Sequence, residues 1–368
     1  MGNTRESERV FQQPDVIVVG SGVIGLACAT MIARQGPRVL VVSSNEPGAA
    51  SPASAGIVAP SVGLFGHART LAVAARDMYP EYLDDLATRS GVQVPLDHGL
   101  LAIALTADEA TSLRAMVRED SEWIDAGTLR KLEPALAPAE GAVLHHRDGA
   151  VDPVSLLTAL RAEAVRNDGI AFRSDRVAKL RPARAQPKLE LADGTRLSSP
   201  IIVLAAGAWI GTITGLPRAI PVEPVRGQIL EFAGRPLRHI VTASSGYVVP
   251  RRDRSLVGST MEQVGFDSRA TEDGASAVVS IARQISKELA SFRVVGHWAG
   301  LRPVTPDLLP IVGPDPDHPG LFYACGHSKN GVLLAPLTAR IITELITTGT
   351  TSFDVAAYAP GRFAETGR

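Results

Sequence analysis

Asp15-Val16-Ile17-Val18-Val19-Gly20-Ser21-Gly22-Val23-Ile24-Gly25 joins a run of β-branched residues to three spaced glycines, and Leu26 to Gln35 continues it as a helical pattern. A second apolar strand, Arg38 to Val42, follows. A strand that feeds a tight turn, which in turn feeds a helix, is the context in which GxGxxG binds a dinucleotide. Each glycine has a separate task. Gly20 allows the sharp turn, Gly22 lets backbone amides approach a pyrophosphate, and Gly25 brings the helix close to the strand. The helix start at Val23 and Ile24 adds unpaired N–H groups and the positive end of the helix dipole. The acidic residue that usually ends the second strand and holds the ribose is missing; Ser43 stands there, followed by Ser44, Asn45 and Glu46. Either Ser43 gives a neutral hydrogen bond, or Glu46 reaches back through the turn, or neither meets the ribose. The departure argues against a plain NAD signature.

Working outward, 368 residues are too many for one compact core and imply two domains with a ligand cleft between them. A net charge of -1 provides no field for polyanions, so no nucleic-acid partner is expected. Gly20, Gly22, Gly25, Arg34, Gly36, Pro37 and Arg38 break the apolar region Val16 to Val42, so no membrane span is expected. Met1 to Gln13 is polar and mixed in charge, unlike a secretion signal, and reads as a disordered tail. The only two cysteines, Cys28 and Cys325, have neither zinc nor CxxC spacing, and the eight histidines lack metal spacing. No metal and a reducing, cytoplasmic compartment are the expectations. A GxSxG elbow is also absent, which removes the serine-hydrolase class.

Further along, Asp108 to Ile124 reads as a helix, and Asp152 with Pro153 reads as the cap and first position of another over Leu156 to Val165. Pro182 to Arg196 resembles a polar hairpin. Pro200 to Ala205 reads as a buried strand that runs into Ala206, Gly207, Ala208 and Trp209. These small residues permit close approach of a ligand, or form a plain tight turn. Between Pro224 and Arg293, strands are expected over Gln228 to Phe232, Tyr247 to Pro250 and Leu256 to Ser259, as in an antiparallel sheet inserted into a dinucleotide domain. The chain closes with a strand, Leu321 to Ala324, then the loop Gly326-His327-Ser328-Lys329-Asn330-Gly331 and a helix over Leu334 to Ile346. That loop and the helix start behind it suit an electron-rich ligand edge.

Motif by motif, the chain resembles the glycine oxidase and D-amino-acid oxidase family of flavoproteins. Asp15 to Gly25 looks like its FAD-binding opening, Ser51, Ala53, Ala55 and Gly56 to Pro60 like its loop beside the flavin, and Ala205 to Trp209 like its second FAD loop. Pro224 to Gln228, Tyr247 to Arg251 and Gly258 to Glu262 resemble the substrate sheet. Trp298 to Pro303, Thr305 to Asp307, Gly326, His327, Asn330, Gly331 and Leu334 to Pro336 form the most specific set.

The resemblance implies an α/β fold, a Rossmann-like FAD-binding domain with an inserted, mainly antiparallel β-sheet substrate domain. Residues 14–80, 145–222 and 296–368 would form the first, and 81–144 with 223–295 the second. It assigns FAD contacts to Gly20, Gly22, Val23, Ile24, Gly25, Ser43, Ser51, Ala55 and Gly56. Ala206, Gly207, Trp209, Gly326, His327, Asn330, Gly331 and Val332 complete that set. Arg302 would pair with the substrate carboxylate and Tyr247 would assist, while Met261 and Lys329 line the pocket. For Arg302 the alternative is a structural ion pair with a carboxylate such as Asp307, and for Tyr247 it is core packing. Relatives that link FAD covalently do so through a cysteine where this chain has Gly300, so noncovalent FAD is implied. Ser328 and Lys329 replace a family aromatic and arginine, which points to a changed pocket.

The implied reaction is oxidation of glycine, sarcosine or a D-amino acid to an imine and then an oxo acid, with O2 reduced to H2O2 and no catalytic acid or base identified. A dehydrogenase that passes electrons from a D-amino acid, proline analogue or N-methyl amino acid to a carrier would share these motifs. So would a non-catalytic flavin-binding subunit. A homo-oligomer is compatible with all three.

Overall fold

The computed structural model describes residues 13–183 and 186–363. All but the last residue of the expected tail lies outside them, as do residues 184 and 185 of the expected hairpin. Strand Val16–Val19 lies inside a six-stranded sheet in the order Ile311–Pro314, Leu321–Cys325, Ile201–Leu204, Val16–Val19, Val39–Ser43, Ile170–Ser174. Every pairing is parallel except that of the edge strand Ile311–Pro314. Val16 and Val18 enter one core with Leu26, Ile32, Leu156 and Leu333. Ile17 and Val19 enter a second core with Leu180, Leu189 and Leu191, which belong to a small three-stranded sheet. Burial on both faces explains why the strand is apolar throughout rather than alternating.

Helices Val23–Ala33, Gly66–Ser90, Pro153–Arg166 and Gly331–Thr348 contribute to the first core. Asp152 caps its helix as expected, accepting from the amides of Val154 and Ser155 at 3.3 Å with Pro153 in the first turn. Helix Gly331–Thr348 is long and apolar enough to cross a membrane, but most of it is buried inside the fold.

A nine-stranded sheet forms the second layer, in the order Val294–Val304, Glu223–Phe232, Arg254–Gly258, Gly246–Arg251, Ile240–Ala243, Leu96–Ala104, Gly141–Val151, Ile57–Val58, with Ser121–Asp125 also on Gly141–Val151. Its pairings are antiparallel except Ile240–Ala243 against Leu96–Ala104. One face packs on helix Glu272–Ile285 through Val278, Ile281, Ala282 and Ile285. The other carries Leu100, Ile229 and Val249, with Ala55, Tyr247 and Trp298 in the same cluster.

The helix expected over Asp108 to Ile124 is corrected. It covers only Ala107–Ala115, and Ser121–Asp125 is a strand paired with Gly141–His145. The edge of the sheet offers Ser121–Asp125 a full ladder, which outweighs the weak helical preference of β-branched and aromatic residues.

Candidate active site

Where the parallel strands end, a cavity of about 930 Å³ opens and runs to the second sheet. Crevices at the carboxyl ends of such strands are the usual ligand sites of this architecture. At one end lies the glycine turn. Gly20 has φ +111°, and a Cβ there would fall 2.3 Å from the Ala205 carbonyl oxygen. Gly22 precedes the helix with no side-chain cap, and the first turn carries no acidic residue. Val23 N–H donates to Ser51 Oγ at 3.0 Å, which ties the 50–56 loop to this helix start. Gly25 stands behind the wall rather than in it: a Cβ there would fall 1.9 Å from the Gly20 carbonyl oxygen. The other glycines, hydroxyls and backbone positions expected around FAD, from Gly20 to Val332, all line this one cavity.

At the end of the second strand Ser21 Oγ donates to Ser43 Oγ at 2.9 Å, and Ser43 Oγ donates to the Ser44 carbonyl at 3.3 Å. Glu46 also lines the cavity and is half-buried.

Arg302 and Tyr247 line the cavity from the second sheet. Arg302 Nη2 donates to Ser259 Oγ at 2.7 Å and Nη1 to the Thr260 carbonyl at 3.0 Å, with Met261 Sδ at 3.6 Å. The guanidinium crosses Gly227, where a Cβ would fall 2.1 Å from its nitrogens. Asp307 is bound elsewhere, to Arg362 at 2.7 and 3.1 Å. Asp307 is thereby taken up, and among the described residues Arg302 has no carboxylate in an ion pair with it. Burial pulls its pKa down while Tyr247 and Glu262 oppose the shift; an arginine stays a cation regardless. Burial raises the Tyr247 phenol, with Arg302 and a Ser259 hydrogen bond opposing, so it remains a donor at neutral pH.

The loop Gly326–Gly331 closes the third side. Ser328 takes a left-handed φ of +50°, and its N–H donates to the Pro303 carbonyl at 2.9 Å, one residue beyond Arg302. Lys329 points its ammonium to within 3.1 Å of a Cβ placed on Gly63. His327 is buried, with Nε2 3.0 Å from Thr338 Oγ1, and burial pushes its pKa down to about 3. It is therefore neutral and shapes the loop.

The model of the FAD dependent oxidoreductase family matches residues 15–345. The chain belongs to that family. It is 35% identical to glycine oxidase of Pseudomonas putida over 362 residues, which covers 94% of this chain and 98% of the relative. The crystal structure of glycine oxidase from Geobacillus kaustophilus superposes with a TM-score of 0.89 at 30% identity, covering 96% of this chain and 99% of that one. That of iminodiacetate oxidase from Chelativorans sp. gives 0.86 at 25%, covering 94% and 98%.

The cavity of this FAD-dependent oxidoreductase fits the cofactor. An uncapped helix start beside Gly22 suits a diphosphate, and Gly207, φ +56° with no atom near its missing Cβ, leaves room for a flat ring system. The sequence alone does not identify Ser259 and the Thr260 carbonyl as the groups that hold Arg302. Their signal, small polar residues just past a strand end, is common to many turns.

Proposed function

We propose that this flavoenzyme oxidises the carbon–nitrogen bond of a small amine that carries a carboxylate, with glycine, sarcosine and D-amino acids as the substrate class. The observation that carries the reading is Arg302, a cation with no carboxylate partner among the described residues that faces the cavity beside the Tyr247 donor. A guanidinium receives a carboxylate through two parallel charge-assisted hydrogen bonds, and the phenol adds a third donor. Bound FAD supplies the two-electron acceptor. The protein then fixes the carboxylate, orients the amine-bearing carbon and excludes water, which is a positioning task. No acid or base is assigned, and the neutral His327 fits that scheme. Met261 and Lys329 are proposed to line the substrate end. The resulting imine hydrolyses to an oxo acid, and O2 takes the electrons as H2O2.

We also propose that FAD is noncovalent. A Cβ at Gly300 would fall 2.6 Å from Ala53 Cβ, so no linking side chain fits there. Cys325 lines the cavity, but burial pushes its thiol up to about 12, far from a reactive thiolate. Both buried free cysteines suit a reducing, cytoplasmic setting. The division into an FAD-binding and a substrate-binding domain is kept as proposed, with strands Gly141–Val151 and Val294–Val304 bridging its boundaries at 145 and 296.

Anaerobic mixing of the FAD-loaded protein with glycine, sarcosine and D-alanine is expected to bleach the flavin with at least one of them, and air to yield peroxide. Bleaching without peroxide would assign electron transfer to a carrier. No bleaching by any carboxylate-bearing amine would sink the proposal.

For the ribose we propose Glu46, since it makes no side-chain hydrogen bond or ion pair among the described residues while the Ser43 hydroxyl is engaged by Ser21. Hydrogen bonds to a charged group contribute about 1.5–3 kcal/mol, so Glu46→Gln is expected to weaken FAD roughly tenfold to a hundredfold in a fluorescence titration. Equal weakening by Ser43→Ala with none from Glu46→Gln would transfer the role to Ser43.

A further inference from the structure

The segment that holds Arg302 belongs to no strand. Gly258 ends its strand opposite Ile229 and Tyr247, and the next backbone pairing is the bridge of Glu262 with Arg226. Ser259, Thr260 and Met261 therefore cross the cavity wall without a ladder, yet Ser259 and the Thr260 carbonyl are what the guanidinium rests on. An unladdered carbonyl has no fixed direction of its own. Here the Thr260 hydroxyl supplies one. It accepts the Gln228 N–H at 2.9 Å, in the place where a strand partner would stand, and donates to Glu262 Oε1 at 2.5 Å.

Behind it lies a part-buried hydrogen-bond network built on the buried Arg226 and Gln228. Glu262 Oε1 also accepts from Gln228 Nε2 at 2.7 Å, while Oε2 takes Arg226 Nε at 3.0 Å and Nη2. Gln228 is fully buried, and its carbonyl oxygen accepts the Thr271 N–H at 2.8 Å and meets His297 Nε2 at 3.0 Å. Burial works against the charge on Glu262, but the hydrogen bonds of Thr260, Arg226 and Gln228 outweigh it and hold its pKa below the ordinary value. Groups locked in this way keep a binding constellation within the tolerance that oriented catalysis requires.

We propose that Thr260 is a positioning residue whose hydroxyl, clamped between the Gln228 amide and the Glu262 carboxylate, fixes the carbonyl that aims Arg302 at the substrate carboxylate. The proposal rests on the reading of Arg302 as carboxylate anchor. Thr260→Val keeps the shape and removes the hydroxyl, which frees the carbonyl and leaves the Gln228 amide unpaired. Thr260→Ser restores the clamp.

The experiment titrates FAD-loaded protein with acetate, a carboxylate without an amine, and follows the flavin absorption spectrum. A lost hydrogen bond in a part-buried polar network corresponds to about a tenfold change, so Thr260→Val is expected to weaken acetate about tenfold while FAD affinity stays at the wild-type value. Thr260→Ser should return acetate binding to within about twofold of wild type. With substrate, the Thr260→Val effect should fall on KM more than on kcat. Wild-type acetate affinity in Thr260→Val, or equal weakening in Thr260→Ser, overturns the proposal, as does a parallel loss of FAD affinity. If Thr260→Val does not fold, Thr260→Ala repeats the measurement with the same expected loss, and wild-type binding there overturns it equally. Arg302→Ala separates the two layers: if it leaves acetate affinity unchanged, the carboxylate anchor itself fails; if it abolishes acetate binding while the Thr260 variants do not weaken it, only the positioning role fails.

Discussion

Arg302→Ala is expected to lower kcat/KM for a carboxylate-bearing amine roughly 30- to 5000-fold, since truncating one partner of a desolvated, hydrogen-bonded charge pair costs about 2–5 kcal/mol. Lys329 lines the same cavity near enough to feel the Arg302 charge, but a lone ammonium offers no planar fork, and Tyr247 is a neutral donor held beside Ser259. Most of the loss should appear in KM, because the carboxylate is held in the ground state and the transition state alike. Arg302→Lys should recover only part of it: an ammonium reaching over Gly227 keeps the charge but not the planar fork that meets Ser259, Thr260 and a carboxylate together. Steady-state kinetics with glycine and D-alanine, beside an FAD titration, provide the check. Unchanged KM for both substrates would remove Arg302 from the site, and loss of FAD in parallel would recast it as structural.

The dinucleotide half of the fold was legible because its physics is local. Gly20, Gly22 and Gly25 sit at fixed spacing between a strand and a helix, and Asp152 with Pro153 marks a helix start in two residues. The second sheet was legible only as separate strands. Its order, with Glu223–Phe232 between Val294–Val304 and Arg254–Gly258, depends on pairings more than 20 residues apart that no window contains. Helix Gly66–Ser90 was hidden by Pro80, which reads as a break. Burial of Tyr79, Tyr82, Leu83 and Leu86 carries the helix through. Helix Glu272–Ile285, by contrast, shows Val278, Ile281, Ala282 and Ile285 at helical spacing and a Thr271 cap, so its signal was present in a stretch read only for strands. In the site, Arg302 stood out through its resemblance to a motif. What aims it, a side-chain hydroxyl and a carbonyl 42 residues earlier, follows from tertiary contact alone.

Gly25→Ala should be among the most damaging single-methyl changes in the dinucleotide half, although Gly25 does not line the cavity. The new Cβ would meet the Gly20 carbonyl oxygen at 1.9 Å, and both partners are backbone, so neither can rotate away. Helix Val23–Ala33 must then move off the Gly20 turn. That helix contributes Leu26, Ala29 and Ile32 to the main core and has neighbours on three sides, the sheet and helices Pro153–Arg166 and Gly331–Thr348. Overpacking of this kind costs about 1–3 kcal/mol, and more where the obstacle is rigid. The displacement would also carry the helix start and the Ser51 contact away from the position proposed for the diphosphate, so two or more charge-assisted hydrogen bonds would be lost together. At about 1.5–3 kcal/mol each, FAD affinity should fall by a hundredfold or more. Gly22→Ala is the control. Its Cβ meets only Ser51 Oγ, at 3.1 Å, a side-chain atom that can turn aside, so fold stability should hardly change. Thermal unfolding of the FAD-free variants and fluorescence titration with FAD read the two effects separately. Wild-type stability and FAD affinity in Gly25→Ala would mean that the helix can yield at this point, and that the third glycine is not what sets the distance between helix and strand.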